Sequence, residues 1–156
     1  MNIVLNTSPI IFLGKTQCLD VLAQCVDQIS VPQQVLDELG DESLPDFVQI
    51  KTLSVASSAY VQGALGRLHE GELAAIALAQ ELSADFVVLD DLLARKKAQH
   101  LGLKVIGTVG LLLLMNKRHR LTAEQVWQYL TDLTQEHGMY LSPALMVTIK
   151  QKLFMP

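Results

Sequence analysis

The chain is poor in the features that announce several common classes of protein. It has only two cysteines, Cys18 and Cys25, with no CxxC and no paired histidines. That leaves little basis for a zinc site or a thioredoxin-type centre, and both read as small buried hydrophobes. No apolar run is long: the longest, Leu73 to Ala79, falls far short of the roughly 20 residues that span a bilayer. The opening Met-Asn-Ile-Val-Leu-Asn lacks a basic segment and a small-residue cleavage site, so no secretory signal is expected, and cytoplasm is the expected compartment. An excess of positive charge is missing too. The net charge of −4 argues against holding duplex nucleic acid by phosphate neutralisation alone. Any such contact would need a local basic patch, and two exist, Arg95-Lys96-Lys97 and Lys117-Arg118-His119-Arg120. Each is equally well read as a solvated helix end favoured by the helix dipole.

What is abundant is apolar residue: half of the 156 residues, with a mean hydropathy of +0.31. This length suits one domain, residues 1–156, closing one well-buried core. Apolar strands alternate with helical segments, the pattern of a mainly parallel sheet wrapped by helices on both faces, a three-layer α/β/α architecture. Strands are expected at Asn2 to Leu5, Gln28 to Val31, Phe47 to Val55 near the sheet edge, Phe86 to Leu89, and Leu103 to Ile106. Ser8 as N-cap with Pro9 after it opens a first helix, and a second piece runs through Leu19, Val21 and Leu22. Further helices are expected at Gln33 to Leu39, stopping at Gly40, and at Ser57 to Leu68, Gly71 to Leu82, Asp91 to Leu101 and Thr108 to Lys117. Thr122 and Gln125 form a capping box for a helix reaching about His137, and Ser142-Pro143 starts the last one. The polar stretch Asp41 to Asp46 reads as a loop. In the Gly71 to Leu82 helix apolar residues point all round the axis, so that helix is expected to be buried. Trp127 and Tyr129 lie in a helix with Leu130, and packing accounts for Trp127 better than base stacking does.

In an open parallel sheet the ligand crevice lies beyond the carboxyl ends of the strands, near the point where strand order reverses. The first strand ends at Asn6-Thr7-Ser8 and the most apolar one at Asp90-Asp91. Two adjacent carboxylates after an apolar strand are costly to desolvate unless they meet a cation, hydrogen bonds or water. A metal site accounts for them, and so does Asp91 capping its helix with Asp90 in solvent. Glu72 stands in a first helical turn, where its charge is favoured; Glu38 stands at a helix end, where it is disfavoured. Three or four acids on separate elements would suit a hard cation such as Mg²⁺, and such a cluster can support phosphodiester hydrolysis. Arg95, one turn after Asp91, is placed to contact substrate phosphate or to pair with the acids, of which a structural ion pair is the commoner. None of the four histidines carries a catalytic assignment.

Taken in order, Asn-Thr-Ser-Pro-Ile (6–10), Val-Pro-Gln-Gln-Val-Leu-Asp-Glu-Leu (31–39), Gly-Glu-Leu-Ala-Ala-Ile-Ala-Leu-Ala (71–79), Val-Leu-Asp-Asp-Leu-Leu-Ala-Arg (88–95) and Gly-Thr-Val-Gly-Leu-Leu (107–112) resemble PIN-domain proteins. More narrowly, they look like a branch of predicted nucleic-acid-binding proteins related to the toxins of toxin–antitoxin pairs. The resemblance rests on the ordered set rather than on one motif. It implies a Mg²⁺- or Mn²⁺-dependent ribonuclease, with RNA as substrate, an antitoxin protein and a second copy of the chain as partners. It also implies an acidic centre of Asn6, Glu38, Glu72 and the Asp90-Asp91 pair, with Asp91 the better match to the family's late aspartate. Thr7 and Ser8 would line the pocket, and Thr108 matches a second hydroxyl-bearing turn. Asn6 departs from the family, whose active nucleases usually carry Asp there; a site with one charge fewer implies weaker metal binding. The alternative is a binding module that keeps fold and pocket without turnover.

Overall fold

In the computed structural model, which describes residues 1–40 and 43–155, five strands form one all-parallel sheet in the order β3-β2-β1-β4-β5. They are β1 (Asn2–Leu5), β2 (Gln28–Pro32), β3 (Val48–Lys51), β4 (Phe86–Val88) and β5 (Val105–Ile106). The helices are α1 (Thr7–Lys15), α2 (Leu19–Cys25), α3 (Gln33–Leu39), α4 (Val55–Gly63), α5 (Glu70–Leu82), α6 (Leu92–His100), α7 (Thr108–Lys117), α8 (Ala123–Glu136) and α9 (Pro143–Phe154). Strand order runs outward from β1 in one direction through β2 and β3 and in the other through β4 and β5, so the reversal falls between β1 and β4. The crevice predicted by that reversal lies at the carboxyl ends of these two strands.

Alternation along the central strands builds the layers. Ile3, Leu5 and Val88 join one buried cluster with residues of α1, α2, α3, α7, α8 and α9. Val4, Val87 and Leu89 point the other way and join α4, α5 and α6. The three-layer α/β/α arrangement is therefore the one that the pattern of elements implied. Helix α5 is its second core: Gly71 and every residue from Leu73 to Ala79 are buried, because the helix lies under β1, β2 and β4 and is flanked by α3, α4 and α6. Ala74, Ala75 and Ala79, each fully buried, keep that approach close. Trp127 is partly buried against the opposite core, as expected of a packing residue, and so is Tyr129.

Most elements fall where periodicity and caps put them, and the exceptions have local causes. Asn6, not Ser8, is the N-cap of the first helix, which takes Thr7, Ser8 and Pro9 into its first turn. β3 is an edge strand but shorter than Phe47 to Val55, since Ser54 caps the next helix by accepting the amide of Ser57. That helix starts at Val55 and stops at Gly63, short of Leu68. β5 covers only Val105–Ile106 of the expected Leu103 to Ile106, and Asp91 and Leu101 are the caps of α6 rather than members of it. The capping box of Thr122 with Gln125 and the Ser142 cap are present. Asp41 and Glu42, the start of the expected polar loop, lie outside the described residues. Among the described residues no helix is long and apolar enough to cross a membrane.

A candidate acidic site at the end of the sheet

Asn6 follows β1 directly, and its amide extends the pairing by donating to the Val88 carbonyl at 3.2 Å. This ties it to β4 and buries it, leaving 5% of the residue exposed. Its side chain caps nothing, and Oδ1, though buried, has no partner. The next residue, Thr7, donates its hydroxyl to Glu38 Oε2 at 2.6 Å. Glu38 comes from the last turn of α3, where the helix dipole disfavours a carboxylate. Its other oxygen, Oε1, accepts the amide of Gly71 at 2.8 Å, in the first turn of α5. The unfavourable end of one helix is thus offset by the favourable start of another, whose first amides have no partner within their own helix.

Glu72, also in the first turn of α5, is half-buried. Oε1 accepts the His69 amide at 3.4 Å, whereas Oε2 is buried without a partner. Burial pushes its carboxyl above the usual carboxylate range; the His69 amide and ring oppose this, and the nearby charges of Asp91 and Glu38 add to it. Asp91 caps α6, its Oδ2 accepting the Ala94 amide at 2.9 Å. It also lines the same cavity, so capping α6 does not keep Asp91 from facing the other acids, while Asp90, expected in solvent on the capping reading, is instead bonded to Thr108. The cavity, about 570 Å³, is lined by Asn6, Thr7, Ser8, Glu38, His69, Glu70, Glu72 and Asp91.

Asp90 does not line this cavity. Its Oδ1 accepts the Thr108 amide at 2.8 Å and its Oδ2 the Thr108 hydroxyl at 2.7 Å. Successive side chains leaving a strand point to opposite sides, so only one of the aspartate pair faces the cavity. Thr108 is fully buried at the start of α7 and is spent on Asp90, so it does not reach the cavity either. Arg95 donates through Nη1 to the Leu89 carbonyl at 3.0 Å. It makes none of the expected ion pairs: among the described residues the only one joins the N-terminal amine to Asp27. Asp90, Arg95 and Thr108 together fasten the end of β4 to α6 and α7. The basic stretches lie outside the cavity lining as well, with Lys97 over the Tyr60 ring at 5.9 Å and Arg118 bonded to the Cys25 carbonyl.

His69 and Glu70 line the cavity but were given no role from sequence. The available signal was their position just before Glu72, at the start of a helix.

The donors suit a hard cation. Apart from the His69 ring the lining side chains offer oxygens, four of them as carboxylates, and two buried oxygens, Asn6 Oδ1 and Glu72 Oε2, have no partner. Among the described residues no three His, Cys, Asp or Glu side chains converge closely enough to hold a metal ion by themselves. Mg²⁺, which usually keeps several waters and takes only one or two carboxylates, does not require such a cage. A family model described as DUF3368, a PIN domain, matches residues 2–154. No curated protein matches the chain.

Proposed function

The chain belongs to the PIN-domain family, whose fold is of the nuclease type, and from that premise we propose that it is a Mg²⁺- or Mn²⁺-dependent ribonuclease. The observation that carries the proposal is the placement of Glu38, Glu72 and Asp91 around one cavity with two unpartnered buried oxygens, Asn6 Oδ1 and Glu72 Oε2. One or two of Glu38, Glu72 and Asp91, together with Asn6 and water, would hold the cation. When bound there, it would offset charge on a phosphodiester and acidify water at neutral pH.

The chain's own residues divide the remaining work. Asp91 and Glu72 supply the negative charge that draws a cation in, and a cation there would offset the burial and the neighbouring acids that hold the Glu72 carboxyl above its usual range. Thr7, having given its hydroxyl to Glu38, orients that carboxylate rather than substrate. Ser8 is exposed at the cavity wall and offers a hydroxyl to a phosphate oxygen. Asp90, Thr108 and Arg95 hold the wall in place.

A second reading is favoured by one observation: Asn6 is neutral where its surroundings are acidic, which weakens cation binding. On that reading the chain is an RNA- or protein-binding module that has lost turnover. The two are separated by incubating a pool of structured and single-stranded RNAs with Mg²⁺ or Mn²⁺, beside Asp91→Ala and Asn6→Asp variants. Cutting by the native chain that disappears in Asp91→Ala supports the ribonuclease. No cutting by the native chain, with activity gained in Asn6→Asp, supports the module.

The resemblance to toxin–antitoxin ribonucleases extends the proposal to a cytoplasmic toxin restrained by an antitoxin protein and to a homodimer. Light scattering that gives the monomer mass at high concentration would remove the homodimer. Unimpaired growth of cells expressing the chain alone would count against a toxin.

A further inference from the structure

We infer that Gly71 is a positioning residue for the acidic site, its missing side chain being the space in which the Glu38 carboxylate sits. A Cβ at position 71 would lie 2.4 Å from both Glu38 oxygens and 2.5 Å from its carboxyl carbon. Real Cβ atoms essentially never come that close to an atom they are not bonded to, so any side chain there displaces the carboxylate. The same residue also holds the group it makes room for, since its amide donates to Glu38 Oε1 at 2.8 Å. Thr7 grips the other oxygen from α1. Glu38 is therefore clamped between the first turns of two helices while its own α3 supplies a third support. A carboxylate held at both oxygens in this way has lost its rotational freedom before any ligand arrives, which reduces the cost of binding one.

Gly71 is not there for backbone conformation. It lies within α5 and is not among the residues with positive φ, and glycine inside a helix is disfavoured relative to alanine. The atoms in the way belong to the far end of a flexible side chain, on an exposed residue, so the chain can accept Ala at 71 by letting Glu38 swing out. Glycine at this position therefore serves the placement of Glu38, not the folding of the helix.

The inference rests on the cation-binding reading for its functional meaning, and the test separates the two. Native protein, Gly71→Ala, Glu38→Ala and the double variant are titrated with Mn²⁺ and, separately, melted in EDTA. The expected result is that Gly71→Ala weakens Mn²⁺ binding about as much as Glu38→Ala does, by roughly tenfold or more, and that the double variant is no weaker than Glu38→Ala. Equal Mn²⁺ affinity in Gly71→Ala and native protein would overturn the inference. The melts need no cation. Gly71→Ala should lower Tm in the native background, where it breaks the bond to Glu38. In the Glu38→Ala background it should leave Tm unchanged or raise it, because alanine is the better helix former once the carboxylate is gone. The same shift in both backgrounds would overturn the inference, even if no variant binds Mn²⁺, an outcome that would defeat the cation reading instead.

Discussion

Asp90 accepts two hydrogen bonds from Thr108, one from the amide at 2.8 Å and one from the hydroxyl at 2.7 Å, and so ties the end of β4 to the start of α7. Its neighbour Asp91 faces the acidic cavity. Two adjacent identical residues thus have separate tasks, and substitution distinguishes them. Asp90→Ala leaves a buried threonine with two unmet donors and should cost about 1–3 kcal/mol of stability in urea denaturation, with Mn²⁺ affinity close to native. Asp91→Asn should do the reverse: asparagine caps helices as well as aspartate does, so stability is retained while Mn²⁺ binding weakens. Matching losses in both properties for both variants would contradict this division.

The raised carboxyl of Glu72 makes stability depend on pH in a definite direction. Its folded pKa lies above its unfolded value near 4.5, so between the two the folded state binds the extra proton. The slope of unfolding free energy with pH is then negative, and the contribution of Glu72 is fully present below the unfolded value and lost as pH rises through the folded one. Glu72→Gln removes that dependence. Urea midpoints in EDTA from pH 4 upward should show the variant gaining on the native chain through this window, and a constant difference would show that Glu72 is not the group responsible.

Asn6→Asp adds a negative charge to a cavity already lined by four carboxylates. In EDTA the variant should melt below the native protein, because a buried like charge is unfavourable. With saturating Mn²⁺ the order should reverse, since the added charge is then paired and cation affinity rises by about tenfold or more. Calorimetric titration and melting with and without Mn²⁺ check both halves; a variant less stable under both conditions would argue against a cation at this position.

Ala79 is fully buried in α5, against the sheet. Ala79→Leu has to be accommodated where helix and strands already touch, and should destabilise by about 1–3 kcal/mol through forced displacement. Urea denaturation reads this, and an unchanged midpoint would mean that the α5 layer is more loosely packed than its burial indicates.

Much of this architecture was legible in one dimension, and the reasons are specific. α7 and α3 have the expected bounds because glycine, proline and threonine mark their ends; the α8 and α9 starts are likewise fixed by Thr122-Gln125 and Ser142-Pro143. The depth of α5 was readable because apolar residues surround its axis. Boundaries failed where two signals competed. Ser8-Pro9 looks like a cap and a first turn, yet Asn6 begins the helix, because its amide is still bonded across to β4. The alternation from Phe47 to Val55 continues past the point where Ser54 caps a helix.

For the site, the sequence by itself determined which chemistry is present: carboxylates at the ends of apolar strands and at helix starts, with asparagine where the resemblance expects aspartate. Local rules suffice for that, since strand ends and caps are set by near neighbours. Only the tertiary structure decided that Asp91 rather than Asp90 enters the cavity, that Arg95 and Thr108 are spent on holding the wall, and that His69 and Glu70 belong to it. It alone explains Gly71, whose neighbour Glu38 is 33 residues away in the chain. Such choices depend on which face of a strand turns toward which helix and on whether an atom's space is already taken, and packing sets both only once distant segments meet.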